Sequence, residues 1–452
     1  MGNTGVARHG GDFAVDNMTA IKSGFRKSGD SAMNASSQGV APSKGSLATI
    51  GLCLAIALLE GLDLQSAGVA APRIAKEFGL SVAQMGWAFS AGAIGLLPGA
   101  ALGGRLADRW GRKRVLMLSV ALFGIFSLLT AHVWSFESLL TARFLTGLGL
   151  GAAMPNLIAL CAEAAPQGHR NIAVGAMYCG MPFGAALAAV IGIVSPSEEG
   201  WRHVFYVGGL GPLLMVPLLG LCLRESAQFV ETRLARTSNA ALPNVTPGVT
   251  HALWREGRTR TTVALWVSYL GTLIVLYFLM NWLPSMVVAN GLSREQAGVA
   301  IMMFNIGGGL GAIGISNVMD RFSPRLTVIG MYLGIALSLA GLSSAIGALT
   351  MACGAFFCGL FLVGGQSVLY SMAGQAYPTE IRGTGVGAAV AIGRLGSILG
   401  PLIAGQLFAL GQSASMLVSS SIPLILIAAF AALTVVGTFE QRVVAGAVQP
   451  GR

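Results

Sequence analysis

Apolar residues in this chain arrive in long, nearly unbroken runs separated by short polar segments. A helix of about 20 apolar residues is the length that crosses a hydrocarbon layer. Runs of that kind lie at 47–70, 83–104, 115–133, 136–160, 171–194, 203–223, 262–288, 296–318, 326–347, 349–374, 383–409 and 415–438. The pattern predicts an all-α polytopic membrane protein with twelve transmembrane helices. Only one internal break is long, 224–261, which is rich in Arg, Thr, Asn and Pro and divides the runs six and six. The expected organisation is a tail over 1–45, a bundle over 46–223, a linker over 224–261, a bundle over 262–438 and a tail over 439–452.

The two sets of six repeat one another. At an offset of 212 positions, Gly79-Leu80-Ser81 matches Gly291-Leu292-Ser293, Gln84 matches Gln296 and Gly86 matches Gly298. Gly95, Gly99, Asp108-Arg109, Gly147, Pro166, Arg170, Gly175 and Gly184 match Gly307, Gly311, Asp320-Arg321, Gly359, Pro378, Arg382, Gly387 and Gly396. Two pseudo-symmetric six-helix bundles, related by an axis along the membrane normal, are expected around a central site.

Composition agrees. Of 452 residues 54% are hydrophobic and 10% charged, with a mean hydropathy of +0.71, where a soluble domain carries about 25% charged residues. The net charge of +10 raises the question of a nucleic-acid partner, but its distribution answers it. Arg73, Lys76, Arg202 and Arg294 lie on one set of loops and Arg143 and Arg394 within spans, while the other 22 of 28 Lys/Arg fall in the opposite loops and tails. Five basic residues crowd the turn from Arg105 to Arg114. Basic loops stay on the cytoplasmic side, so both termini are expected in the cytoplasm, with no nucleic-acid partner. Residues 1–45 are polar and basic without an apolar core, so a disordered tail and no cleavable signal are expected. The six cysteines lie in or beside apolar runs without metal-ligand spacing, and no phosphate-binding G-x-x-x-x-G-K-[ST] occurs. No enzyme chemistry, metal or cofactor is expected; the Gly147–Gly151 run reads as a small-residue packing face.

Several motifs resemble a known family. Gly104-x-Leu106-Ala107-Asp108-Arg109-x-Gly111-Arg112-Lys113 and Arg143-x-x-x-Gly147-x-Gly149-x-Gly151 resemble signatures of the major facilitator superfamily. Glu60-Gly61-Leu62-Asp63, Tyr377-Pro378-x-x-x-Arg382-Gly383-Thr384-Gly385-x-Gly387 and Gly393-Arg394-x-Gly396 resemble its aromatic acid:proton symporter family, in the hydroxyphenylpropionate branch. The resemblance covers residues 47 to about 440. It implies the major facilitator fold, import of a hydroxylated aromatic acid by proton symport with alternating access, and action as a monomer; an exporter of drugs or aromatic metabolites is the alternative. It also implies that Asp108, Arg109, Arg112, Glu163 and Arg170, with Arg382 and Asp320 in the second half, form an ionic latch at the cytoplasmic helix ends. Ser323-Pro324 departs from the pattern and weakens the second-half loop as a gate element.

Charges inside spans are costly and mark functional candidates. Glu60 and Asp63, three apart on one side of the first helix, are the candidate proton-coupling pair, with a structural polar pair as the alternative. Arg143 and Asp63 each lie about seven residues, near 11 Å, from the outer ends of their predicted spans. Since the resemblance puts helices one and four on the cavity, an Asp63–Arg143 pair is predicted, or an Arg143 shared with substrate. Arg394 sits near the middle of the eleventh span, where a guanidinium suits a planar carboxylate. It is the first candidate anchor and Arg143 the second; an interhelix ion pair remains open. Tyr277 with Asn281, and Gln366 with Tyr370, each four apart, are candidates for the ring and its hydroxyl. Trp282 reads either as a stacking partner or as an interfacial anchor.

Overall fold

The computed structural model of the chain describes residues 44–166, 170–195, 197–226, 229–230, 253–254, 258–377 and 381–447. The first half comprises α1 (Lys44–Phe78), α2 (Val82–Trp110), α3 (Arg112–Thr130), α4 (Phe136–Ala164), α5 (Arg170–Tyr178), α6 (Gly180–Val194) and α7 (Trp201–Cys222). The second comprises α8 (Thr259–Ala289), α9 (Arg294–Arg321), α10 (Pro324–Ser343), α11 (Ala348–Ala376), α12 (Arg382–Ala409) and α13 (Ala414–Ala447). Among the described residues there are 12 stretches long and apolar enough to cross a membrane. The fifth is broken: α5 stops at Tyr178 and α6 starts at Gly180, close to Pro182, which offers no N–H to the carbonyl four residues earlier.

Local chemistry sets the turns, and it repeats between halves. Ser81 and Gln84 form a reciprocal capping box at the start of α2, and Ser293 and Gln296 make the same bonds at the start of α9, satisfying orphan N–H groups at a helix end. The preceding turns need Gly79 at φ 60° and Gly291 at φ 83°, a backbone region open to glycine.

The glycines then let helices touch backbone to backbone. A Cβ on Gly95, Gly99 or Gly147 would collide with the backbone of Phe144, Leu148 or Gly92, pressing α2 onto α4. Gly307, Gly311 and Gly359 meet Phe356, Leu360 and Phe304 between α9 and α11. Every residue in the second set is the first set's counterpart at an offset of 212, so the sequence repeat is a repeat of contacts. Gly184 on Leu58, between α6 and α1, likewise matches Gly396 on Leu270, between α12 and α8. Gly147, Gly149 and Gly151 are packing positions as expected.

The halves meet along α1 with α8, α2 with α12, and α6 with α9. With the Arg105–Arg114 turn marking a basic end, the joining contacts gather from the middle of the molecule to the far end. Ser90 Oγ donates to the Ile398 carbonyl at 2.8 Å, Gly86 abuts Pro401, Gly298 abuts Ile193, and Arg294 on α9 grips Glu198 at 3.0 and 3.2 Å. Trp282 is 4% exposed, packs on Phe89 across the seam and on Phe408, and donates to the Pro401 carbonyl at 3.1 Å. It is therefore a seam residue rather than a membrane-surface anchor.

Several span limits need correcting, and α2 runs to Trp110 rather than 104. The first helix runs to Phe78, not 70, because its charged last turns are paired: Glu77 accepts from Trp201 Nε1 at 2.7 Å and from Arg202, and Lys76 meets Glu198 at 3.2 Å. The ninth stretch ends at Ser343 instead of 347, where Ser344 caps the helix. Tail 1–45 and linker 224–261 lie largely outside the described residues, and α13 continues as helix to Ala447, past the expected limit of 438.

Candidate functional site

The mid-span charges form two centres. In the first, α1 carries Asp63, fully buried, and α4 carries Arg143, 4% exposed. Arg143 Nη1 lies 3.1 Å from Asp63 Oδ2, and Ser127 Oγ on α3 donates to Asp63 Oδ1 at 2.6 Å. The guanidinium sits over the Phe205 ring at 5.7 Å, a cation–π contact. Both carboxylate oxygens of Asp63 are thus engaged. The predicted pair is present, although the 11 Å depth estimate behind it fails: Asp63 stands about fifteen residues, roughly 22 Å, from the end of α1. Helix α1 extends past the level where α4 begins, so equal counts from helix ends do not measure equal depth.

The second centre lies between the halves. Arg394 on α12 is half-buried, and its Nη1 donates to the Tyr277 hydroxyl on α8 at 3.2 Å. Tyr370 on α11, Tyr178 at the end of α5 and Glu60 on α1 all lie within its electrostatic reach. Glu60 is 2% exposed, and its Oε1 has no hydrogen-bond partner among the described residues. One cation is thus bonded to one phenol, with two further phenols from other helices and a carboxylate from the first half within its electrostatic reach. Such a setting suits a planar anion with an aromatic body: the guanidinium takes the carboxylate and the rings take the apolar face.

Glu60 and Asp63 are neighbours on α1 but serve different centres, Asp63 inside the first half and Glu60 towards Arg394. Tyr277 bonds Arg394; Tyr370 packs edge-on against Tyr269 at 5.9 Å between ring centroids. Asn281 is 7% exposed and donates to the Tyr277 carbonyl of its own helix at 2.8 Å, leaving its side-chain oxygen to other partners. Gln366 is half-buried one turn from Tyr370 on α11. Of the latch residues, Arg112 pairs with Glu163, which also accepts from Ser226 Oγ at 2.6 Å. That cluster braces one half at the basic end. Arg109 is exposed, and the side chains of Asp108, Arg170, Asp320 and Arg382 lie outside the described residues.

The sequence profile of the Major Facilitator Superfamily matches residues 53–401 and 265–449. The chain belongs to the major facilitator superfamily. It is 48% identical to the 3-(3-hydroxy-phenyl)propionate transporter of Escherichia coli strain K12, over 85% of this chain and 92% of that one. It is 37% identical to the gallate transporter of Pseudomonas putida, covering 81% and 86%, and 36% identical to the 4-hydroxybenzoate transporter PcaK of Pseudomonas aeruginosa, covering 80% and 86%. These relatives are transporters, not enzymes. Among solved structures, the inward-open xylose transporter XylE from E. coli superposes with a TM-score of 0.69 at 19% identity, over 86% of this chain and 95% of that one. A bacterial homologue of the lysosomal transporter Spinster gives 0.68 at 17%, covering 88% and 98%. Both establish the shared fold.

Within this major facilitator frame, reading the sequence missed four polar residues. Ser127 holds Asp63, Tyr178 flanks Arg394, and Gln65 and Asn305 bond to each other across the seam at 3.3 Å. Tyr178 had a signal, since it lies four residues before Pro182, a proline inside an apolar run; the other three are uncharged residues in apolar runs with nothing to set them apart.

Proposed function

We propose that this protein imports a hydroxylated aromatic acid of the 3-(3-hydroxyphenyl)propionate type by proton symport. The observation that carries the proposal is the half-buried Arg394 guanidinium, bonded to Tyr277 and with Tyr178, Tyr370 and Glu60 within its electrostatic reach; relatives whose printed substrates are hydroxylated aromatic acids support it. The substrate carboxylate binds Arg394, with Arg143 as the second candidate. The ring lies among the tyrosines, and Asn281 and Gln366 are the polar groups for its hydroxyl. Drawing Arg394 towards substrate strips Glu60 of its counter-charge, and a buried carboxylate without a cation is strongly disfavoured. Glu60 then takes up a proton, which couples the two movements. Asp63, with both oxygens engaged, holds Arg143 and stands behind Glu60 in this role. No cofactor takes part.

The basic end is cytoplasmic by the charge rule, so both termini lie inside the inner membrane and the far-end seam seals the outside. The arrangement is then an inward-facing state of an alternating-access cycle between bundles 46–223 and 262–438, joined by a cytoplasmic linker over 224–261 and flanked by cytoplasmic tails over 1–45 and 439–452. In the outward-facing state Asp108, Arg109, Arg112, Glu163 and Arg170, with Asp320 and Arg382, close the inner end. The protein works as a monomer.

Uptake into proteoliposomes, acid outside, tests this with labelled 3-(3-hydroxyphenyl)propionate, gallate and 4-hydroxybenzoate. Arg394→Lys keeps the charge but loses the two-pronged carboxylate match, so uptake at low substrate is expected to fall about tenfold or more while the purified variant stays folded. Wild-type uptake by Arg394→Lys, or accumulation indifferent to the pH gradient, overturns the reading.

A further inference from the structure

Two residues beyond Asp63, α1 carries another buried polar side chain, Gln65, with no exposed surface. It belongs to the first half yet bonds to the second at both ends of its amide. Its Nε2 donates to the Met280 carbonyl on α8 at 2.8 Å, and its Oε1 accepts from Asn305 Nδ2 on α9 at 3.3 Å. The Met280 carbonyl has a particular need of that donor. Its helical partner would be the N–H of residue 284, and residue 284 is a proline inside α8, which has none. Gly68, one turn beyond Gln65 on the same face of α1, supplies the approach: a Cβ there would come within 2.9 Å of the same carbonyl.

We infer that Gln65 and Pro284 form a buried clamp that favours the state sealed at the far end, Pro284 by leaving the Met280 carbonyl open and Gln65 by filling it from the other half. A buried polar group without a partner is expensive. Separating the halves at this level strips the Gln65 amide and the Met280 carbonyl of each other at once, so the clamp biases the equilibrium without touching substrate. The inference rests on the alternating-access part of the transport reading and not on the identity of the cargo.

Two reporter cysteines test it, in the full chain with its six native cysteines replaced by alanine. Ala297→Cys lies buried in the far-end seam, beside Arg73 and Arg294. Gly387→Cys lies on the Arg394 face of α12, two turns towards the basic end, with nothing within 4 Å of an added Cβ. Each is reacted with a soluble maleimide in nanodiscs, without substrate. Gln65→Met keeps length and apolar packing while removing both bonds, and a shift of the equilibrium moves the two ends in opposite directions. The Ala297→Cys rate should rise about threefold to tenfold, the worth of one net hydrogen bond, and the Gly387→Cys rate should fall. With Pro284→Ala, the helix supplies its own N–H to Met280 and only the bond from Asn305 is left to lose, so adding Gln65→Met on that background should change either rate clearly less than it does with Pro284 in place. A rise at both ends marks mere loosening and overturns the clamp, as does an equal Gln65→Met effect in both backgrounds. Glu198→Gln, which weakens the rim pair with Arg294, separates the two readings. If Glu198→Gln shifts the ends oppositely and Gln65→Met does not, the clamp is wrong and alternation stands. If neither variant does, both are wrong.

Discussion

At the scale of single residues, what matters is whether a charge in the membrane interior has a partner. Asp63 and Arg143 complete each other inside the first half, 3.1 Å apart and almost without water. Removing one partner of such a pair leaves the other buried and uncompensated, a loss of about 3–5 kcal/mol, whereas an apolar pair of similar size can be neutral. Asp63→Asn is therefore expected to lower the thermal unfolding midpoint in detergent sharply, and Asp63→Leu combined with Arg143→Leu to recover most of it. Strictly additive losses in that double variant would refute the pairing energetics. Glu60, Asp63, Arg143 and Arg394 were legible in the sequence because a charge in an apolar run stands out against its surroundings. Gln65, Ser127 and Asn305 were not, since a neutral amide or hydroxyl is ordinary within a span and acquires meaning only from the helix it faces. Trp282 shows the same limit: a tryptophan near a helix end suggests a membrane surface, and only the fold reveals the seam it fills.

At the scale of elements, glycine decides which helices lie together. Gly147 admits the Gly92 backbone, and nothing larger fits without moving α2 off α4. Gly147→Leu is expected to cost at least about 1–3 kcal/mol through overpacking, read as a lower unfolding midpoint and poorer recovery of folded protein. Gly437→Leu, where an added Cβ meets nothing within 4 Å, serves as the neutral control. Helix number and order were legible from hydropathy alone, because lipid imposes a length on every span. The ends of α1 and α10 were not. A hydropathy reading stops at the first charges, but Lys76 and Glu77 are bound by Glu198, Trp201 and Arg202, and a paired charge does not end a helix.

At the scale of the whole molecule, two halves of repeated packing meet along a seam made partly of absent side chains. Gly86 against Pro401 and Gly298 against Ile193 let α2 approach α12 and α9 approach α6 at the far end. Gly86→Trp is a wedge in that seam: it is expected to hold the far end open, raising maleimide labelling there and reducing proteoliposome uptake about tenfold or more, with little change in the unfolding midpoint. Unchanged labelling would show that the seam closes elsewhere. The repeat itself was legible as an offset of 212 in the sequence, and the contacts obey it closely.

The chemistry does not obey it. At the same offset Glu60 stands opposite Thr272, Asp63 opposite Val275, Gln65 opposite Tyr277, Arg143 opposite Ala355, and Arg394 opposite Pro182. The scaffold lives in positions that both halves share, and the mid-span charges proposed to handle cargo in positions that they do not. Selection can therefore rework what such a carrier accepts while leaving its framework untouched. Relatives named for a phenylpropionate, a gallate and a hydroxybenzoate are 36% to 48% identical to this chain over 80% to 85% of its length.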